Sequence, residues 1–172
     1  YRMNQFLPKD IVVKSIREVN KDAHARFDAL SRTYEYHIVK EKTAFENEMH
    51  YLMKQLLDFQ AMNEGAKILL QYEDFKCFSK TNTDVNTFVC KISLAHWTHS
   101  EKGYTFTIKA NRFLRGMVRA IVGTLLDIGL KKKSVKDLHE IIESKNRSKA
   151  GYSVPPKGLF LTNVEYPRSI YL

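Results

Sequence analysis

Cysteine is nearly absent from this chain, with only Cys77 and Cys90 among 172 residues. Both stand among apolar and aromatic neighbours without the spacing of zinc ligands, which excludes a disulfide-built fold and fits reduced core thiols of a cytosolic protein. Long apolar runs are lacking too. The longest, Ile121 to Leu130, is interrupted by Asp127, so neither a membrane span nor a signal peptide is expected. Glycine-rich phosphate loops and dinucleotide fingerprints do not occur, so no cofactor of that kind is expected. His96 and His99 are close together, but no cysteine or carboxylate sits at ligand spacing beside them, and no metal is expected. The first residue is Tyr1 rather than methionine, so the chain reads as a stretch from inside something longer, or as a processed product.

Acidic residues are scarce in one half only. Residues 1–86 carry 13 basic and 13 acidic side chains, whereas residues 87–172 carry 15 and 6, so the whole +9 excess lies in the second half. That balance fits a polyanionic partner or a lysine-rich solvated surface, and charge alone does not separate the two. The composition is otherwise ordinary. With 44% hydrophobic and 27% charged residues, the chain is not disordered and can bury a sizeable core.

Asp10 to Ala23, with Ile11, Val12, Val13, Ile16 and Val19, reads as a lead-in containing one strand. Arg32 to Lys40 is a stronger strand, with Tyr34, Tyr36 and Ile38 on one face. From about Asn47 to Leu70 the apolar spacing predicts one long helix or two. A polar loop, Ser79 to Thr87, precedes an expected hairpin of Val89 to Trp97 and Tyr104 to Ala110, turned at Gly103. Asn111 to Gly129 is apolar around most of a helical circumference and should be buried. A short amphipathic helix starts at the Ser134 cap with Asp137 in its first turn, and Leu159 to Tyr166 is a final strand after Pro155-Pro156. The order predicts one α+β domain over residues 1–172, a ferredoxin-like βαββαβ antiparallel sheet packed by helices.

Arg112, Arg115 and Arg119 fall within about a 60° arc if Asn111 to Gly129 is one helix at 100° per residue. Gly116 and Gly123 flank that side, where a backbone, a nucleobase or another strand could come close. An arginine on a mostly buried helix needs a carboxylate or a phosphate, or it must snorkel to water. Only six carboxylates occur in the second half, and Asp127 is about two turns beyond Arg119. A second cluster, His24, Arg26 and Arg32 with Tyr34 and Tyr36, could hold phosphates and stack an unpaired base, or could be ordinary strand tyrosines with wet hydroxyls. Lys102-Gly103-Tyr104-Thr105-Phe106 imitates the opening of the RNA-recognition-motif signature, but Thr105, Thr107 and Lys109 stand where it wants a small, an aliphatic and an aromatic residue.

Five segments in order resemble the tRNA pseudouridine synthase A (TruA) family: His24-Ala25-Arg26-Phe27-Asp28-Ala29; Arg32-Thr33-Tyr34-Glu35-Tyr36; Glu73-Asp74-Phe75-Lys76-Cys77-Phe78-Ser79; Asn111 through Leu125; and Pro156-Lys157-Gly158-Leu159. The resemblance runs from about Leu7 to Tyr166. It implies a cytoplasmic, homodimeric, cofactor-free enzyme that isomerises uridine to pseudouridine at positions 38 to 40 in the tRNA anticodon arm. The implied fold is two ferredoxin-like halves across a basic cleft, of which this chain supplies the C-terminal portion.

By motif position, Tyr34 would stack on the flipped base and Arg119 would pair with the nucleophilic aspartate. His24, Arg26, Arg32, Lys109, Asn111, Arg112 and Arg115 would contact RNA. The family's aspartate lies in a Gly-Arg-Thr-Asp-x-Gly-Val-His-Ala segment that does not occur in these 172 residues; Thr83-Asp84-Val85-Asn86 is no match. The chain alone is therefore expected to be inactive. A noncatalytic RNA-binding domain with an RNA-recognition-like sheet is the rival reading, favoured if Tyr104 and Phe106 are exposed. A dimerisation domain would leave the arginines unexplained.

Overall fold

A computed structural model describes residues 2–42, 49–81 and 85–172. It divides into two compact units, Tyr1–Ala29 with Tyr166–Leu172, and Leu30–Glu165. In the first unit a five-residue helix, α1 (Arg2–Phe6), precedes an extended segment. The Asn4 amide exchanges hydrogen bonds of 2.9 and 2.8 Å with the Val13 backbone. The strand expected between Asp10 and Ala23 is reduced to a single bridge from Val19 to Tyr171. Its apolar residues have no ladder to bury them, and Val12 and Ile16 are 67% and 75% exposed.

The second unit runs β1 (Ser31–Val39), β2 (Tyr51–Leu52), α2 (Phe59–Ile68), β3 (Ile92–His99), β4 (Gly103–Ala110), α3 (Met117–Gly129), α4 (Asp137–Glu143) and β5 (Leu159–Glu165). Aromatic and β-branched residues at period two make β1 the central strand. It pairs antiparallel with β4 on one edge and β5 on the other, while β3 pairs antiparallel with β4. The order β5-β1-β4-β3 is the ferredoxin-like arrangement that the element order predicts. One sheet face, bearing Tyr36, Ile38, Trp97, Phe106 and Ile108, is buried with α2 and α3 in a common core. Each large side chain buried there contributes roughly 1.5–3 kcal/mol. The other face carries the half-buried Thr33, Glu35, His37, Thr105, Thr107 and Lys109.

Two expected boundaries fail for identifiable reasons. The helix expected from about Asn47 begins at Phe59, where the Asp58 carboxylate caps it by accepting from the Ala61 N–H; residues 47 and 48 lie outside the described residues. β5 covers only Ser31 to Tyr36 of β1, so Ile38 and Val39 still need backbone partners. Tyr51 and Leu52 supply them as a parallel strand, and this pairing overrides the helical spacing. The central helix starts at Met117 rather than Asn111, because Gly116 adopts φ 78°, which no right-handed helix accommodates.

Elsewhere the local patterns hold. Eleven of the thirteen α3 residues are buried, leaving Arg119 and Asp127. Reciprocal bonds between Ser134 and Asp137 close the turn before α4. Cys77 and Cys90 are buried free thiols, and burial raises them to about 12 and about 11. Among the described residues no helix is long and apolar enough to cross a membrane, and no metal-holding group of three or more His, Cys, Asp or Glu occurs.

Candidate active site

The site is built along one line of β1. Residues 32, 34 and 36 share a face by strand periodicity, and each meets a different part of the segment from Asn111 to Pro155. Arg32 Nη1 donates to the Asn111 carbonyl at 3.0 Å. The Tyr34 ring meets Phe113 edge-on, with centroids 5.2 Å apart. The Tyr36 hydroxyl donates to the Pro155 carbonyl at 2.9 Å. A bulge adjoins Tyr34, since Thr33 pairs with Asn163 and Tyr34 with Leu161, leaving Thr162 as an extra residue in β5. Such a bulge bends the strand and re-aims its neighbours.

The loop from Asn111 to Gly116 corrects the placement of two arginines. The Asn111 side-chain oxygen accepts from the Lys91 and Arg112 N–H groups, both at 2.8 Å, and the Arg115 carbonyl accepts from the Lys80 N–H at 2.9 Å. Arg112 and Arg115 therefore belong to this loop and not to a common helical arc with Arg119. Arg112 is half-buried and Arg115 is exposed.

Arg119 is on α3, and its Nε donates to the Val154 carbonyl while the Val154 N–H returns a bond to the Arg119 carbonyl. Among the described residues it makes no ion pair with a carboxylate. Its charge reaches Tyr36, whose phenol is pushed well above the usual tyrosine range by burial, helped by Tyr51 and Tyr152 and opposed by Arg119. Burial, with a hydrogen bond from Tyr51, likewise raises Tyr152. The Tyr51 and Tyr152 hydroxyls lie 3.3 Å apart. Both tyrosines escaped the sequence reading, the first inside an expected helix and the second in a loop. The sequence signal available was Gly123, where a side-chain Cβ would stand 1.8 Å from the Tyr152 carbonyl oxygen. Its expected close approach is by this loop backbone.

The remaining candidates are scattered. Lys109 forms a 2.7 Å ion pair with Glu165 on the other sheet face. His24 and Arg26 are exposed in the first unit, where the His24 ring nitrogen accepts from the Arg26 N–H at 3.1 Å and closes its own turn. Arg26 lies 5.6 Å over the Phe27 ring. Tyr104 and Phe106 are 6% and 0% exposed, so the hairpin offers no aromatic platform and the RNA-recognition-like reading loses its support.

A family model described as tRNA pseudouridine synthase matches residues 66–167. The tRNA pseudouridine synthase A of Bacteroides fragilis is 53% identical over 171 residues, covering 99% of this chain and 68% of that protein. That of Bacteroides thetaiotaomicron is 49% identical over 173 residues, covering 99% and 64%. That of Treponema denticola is 42% identical over 170 residues, covering 98% and 63%. The chain thus spans about two thirds of the length of the curated relatives it matches.

Proposed function

This chain belongs to the tRNA pseudouridine synthase family of isomerases, and on that premise we propose that it supplies the arginine and base-stacking wall of an enzyme converting uridine to pseudouridine at positions 38 to 40 in the anticodon arm. The observation that carries this reading is Arg119, anchored to Val154 beside the β1 tyrosine line and without a carboxylate among the described residues. Its counterpart is the family's nucleophilic aspartate, whose motif these 172 residues do not contain.

In the reaction the target uridine leaves the stack, at an unstacking cost of a few kcal/mol. The C1′–N1 bond breaks, the base turns, a C1′–C5 bond forms, N1 gains a proton and C5 loses one. No net oxidation occurs, so the chemistry needs no redox cofactor. Arg119 holds the aspartate ionised and oriented, Tyr34 stacks on the flipped base, and Arg32, Asn111, Arg112 and Arg115 hold the flanking backbone. Lys109, His24 and Arg26 add RNA contacts. The working form is a cytoplasmic homodimer.

The 172-residue chain by itself will bind tRNA weakly and form no pseudouridine. Tritium release from tRNA labelled at uridine C5 measures this, and detectable release by this chain would sink the proposal. In an enzyme carrying the aspartate, Tyr34→Phe keeps the stacking ring. Both tRNA affinity and turnover should stay within a few-fold of the parent. A loss confined to turnover would instead assign the hydroxyl to proton transfer.

A further inference from the structure

A cavity of about 740 Å³ lies between the 3-10 turn Lys76–Phe78 and the loop that follows α4. Neither Tyr34, Arg112 nor Arg119 lines it. Its walls bring together Lys76 and Lys80 from the charge-balanced half of the sequence with Lys145 and Arg147 from the basic half, and the Phe88 ring forms part of the lining. No acidic side chain is among the described lining residues.

Two of these cations are held in place. Lys145 adopts a left-handed backbone, φ 52°, and its Nζ lies 2.7 Å from Asp74 Oδ2. Partial burial tends to raise the Asp74 carboxyl, but the bond from Lys145 and another from the Lys76 N–H outweigh it and keep the group below the usual carboxylate value. Arg147 donates to the Gly151 carbonyl at 2.9 Å and the Ser153 hydroxyl at 3.0 Å. The Lys76 ammonium stands 5.4 Å over the Phe88 ring. Fixed cations beside an aromatic face are what phosphodiester backbones with unpaired bases require, because phosphates supply the affinity and every base has a face to stack. The volume lies within the roughly 300–1,000 Å³ typical of ligand pockets.

We infer that this cavity is a second RNA-contact site, taking a backbone phosphate among Lys76, Lys80, Lys145 and Arg147 and an adjoining unpaired base against Phe88. This rests on the reading of the chain as acting on tRNA. It assigns part of the diffuse basic excess to a defined place that neither Tyr34 nor Arg119 lines.

The test uses the 172-residue chain, with Lys76→Gln and Lys80→Gln at exposed positions that leave the Asp74–Lys145 pair and the Arg147 anchor intact. Each variant should weaken tRNA binding about 5- to 10-fold at low salt and flatten the log–log salt dependence by about one unit. In amide NMR titrations a pentauridylate should shift residues 76–80, 88 and 145–148 saturably, and inorganic phosphate should do so much more weakly. Parent-like affinity and slope in both variants, with Arg112→Gln still impaired, would overturn the cavity assignment and leave the proposed function standing. Equal response to phosphate and pentauridylate would also overturn it, making the cavity an anion site rather than an RNA site. If the parent chain binds neither tRNA nor pentauridylate, the tRNA reading falls along with the cavity.

Discussion

Replacing Arg119 with alanine, in an enzyme that carries the nucleophilic aspartate, should lower turnover by about 100-fold or more while tRNA affinity changes no more than a few-fold. The asymmetry follows from where the side chain sits. Eleven of the thirteen α3 residues are buried, so the guanidinium extends from the wall of the core. Its Nε is engaged by the Val154 carbonyl, which aims the fork rather than neutralising it. Removing one partner of a desolvated ion pair costs about 3–5 kcal/mol, because the other charge is left uncompensated. That loss would fall on the aspartate in the reacting complex and not on distant phosphates. Arg119→Lys retains charge but not the planar fork, and should recover only part of the rate. Single-turnover tritium release and filter binding separate the two quantities. Equal losses in rate and affinity would reduce Arg119 to a phosphate contact.

The second large effect is expected at a buried glycine of α3. Gly123→Ala places a methyl group 1.8 Å from the Tyr152 carbonyl oxygen, a backbone atom with no flexible end to swing aside. The loop is tied to α3 at neighbouring points: the Gly151 N–H donates to the Thr124 hydroxyl at 2.8 Å, and that hydroxyl donates to the Ala120 carbonyl at 2.9 Å. Overpacking of this kind costs about 1–3 kcal/mol. It should also carry Val154 away from Arg119 and Pro155 away from Tyr36. The variant should show a lower urea midpoint and, in the active enzyme, a fall in turnover comparable to that of Arg119→Ala. A parent-like urea midpoint would mean the loop is displaced freely. Thr124→Val serves as a milder comparison, since it keeps the volume and removes two hydrogen bonds.

The parts of this molecule legible in its sequence are those fixed by short-range pattern. Period two in Arg32 to Lys40 and in the hairpin, the apolar character of most of the helical circumference within Asn111 to Gly129 and the Ser134–Asp137 cap are each set by residues close together in the chain. What escaped depends on partners far away in the chain. Tyr51 and Leu52 become a strand because β5 leaves Ile38 and Val39 unpaired, a fact set about 110 residues later. The early start expected for α3 ignored the conformation of Gly116, whose φ of 78° is compatible with a turn and not with the helix interior.

The candidate site divides in the same way. The family motifs single out Arg119 and Tyr34 as candidates, and the missing side chain of Gly123 signals the close approach of the Tyr152 backbone. The relation of Tyr51 to Tyr152 was not, since one hydroxyl bond joins residues 101 apart. The cavity crosses the charge boundary of the chain, because two of its cations come from the half with no net charge.

The central position of β1 has a consequence for how the chain is made. β1 is completed by residue 39, yet its β5 neighbour ends only at Glu165. At ribosomal speeds of about 5–20 residues per second, the edge that accepts β5 stays open for roughly 6–25 seconds during translation. For that interval a strand rich in tyrosine, isoleucine and valine offers unpaired backbone groups to any other nascent chain. Slowing translation late in the message should lengthen this exposure and increase co-translational aggregation, without altering one residue of the finished protein.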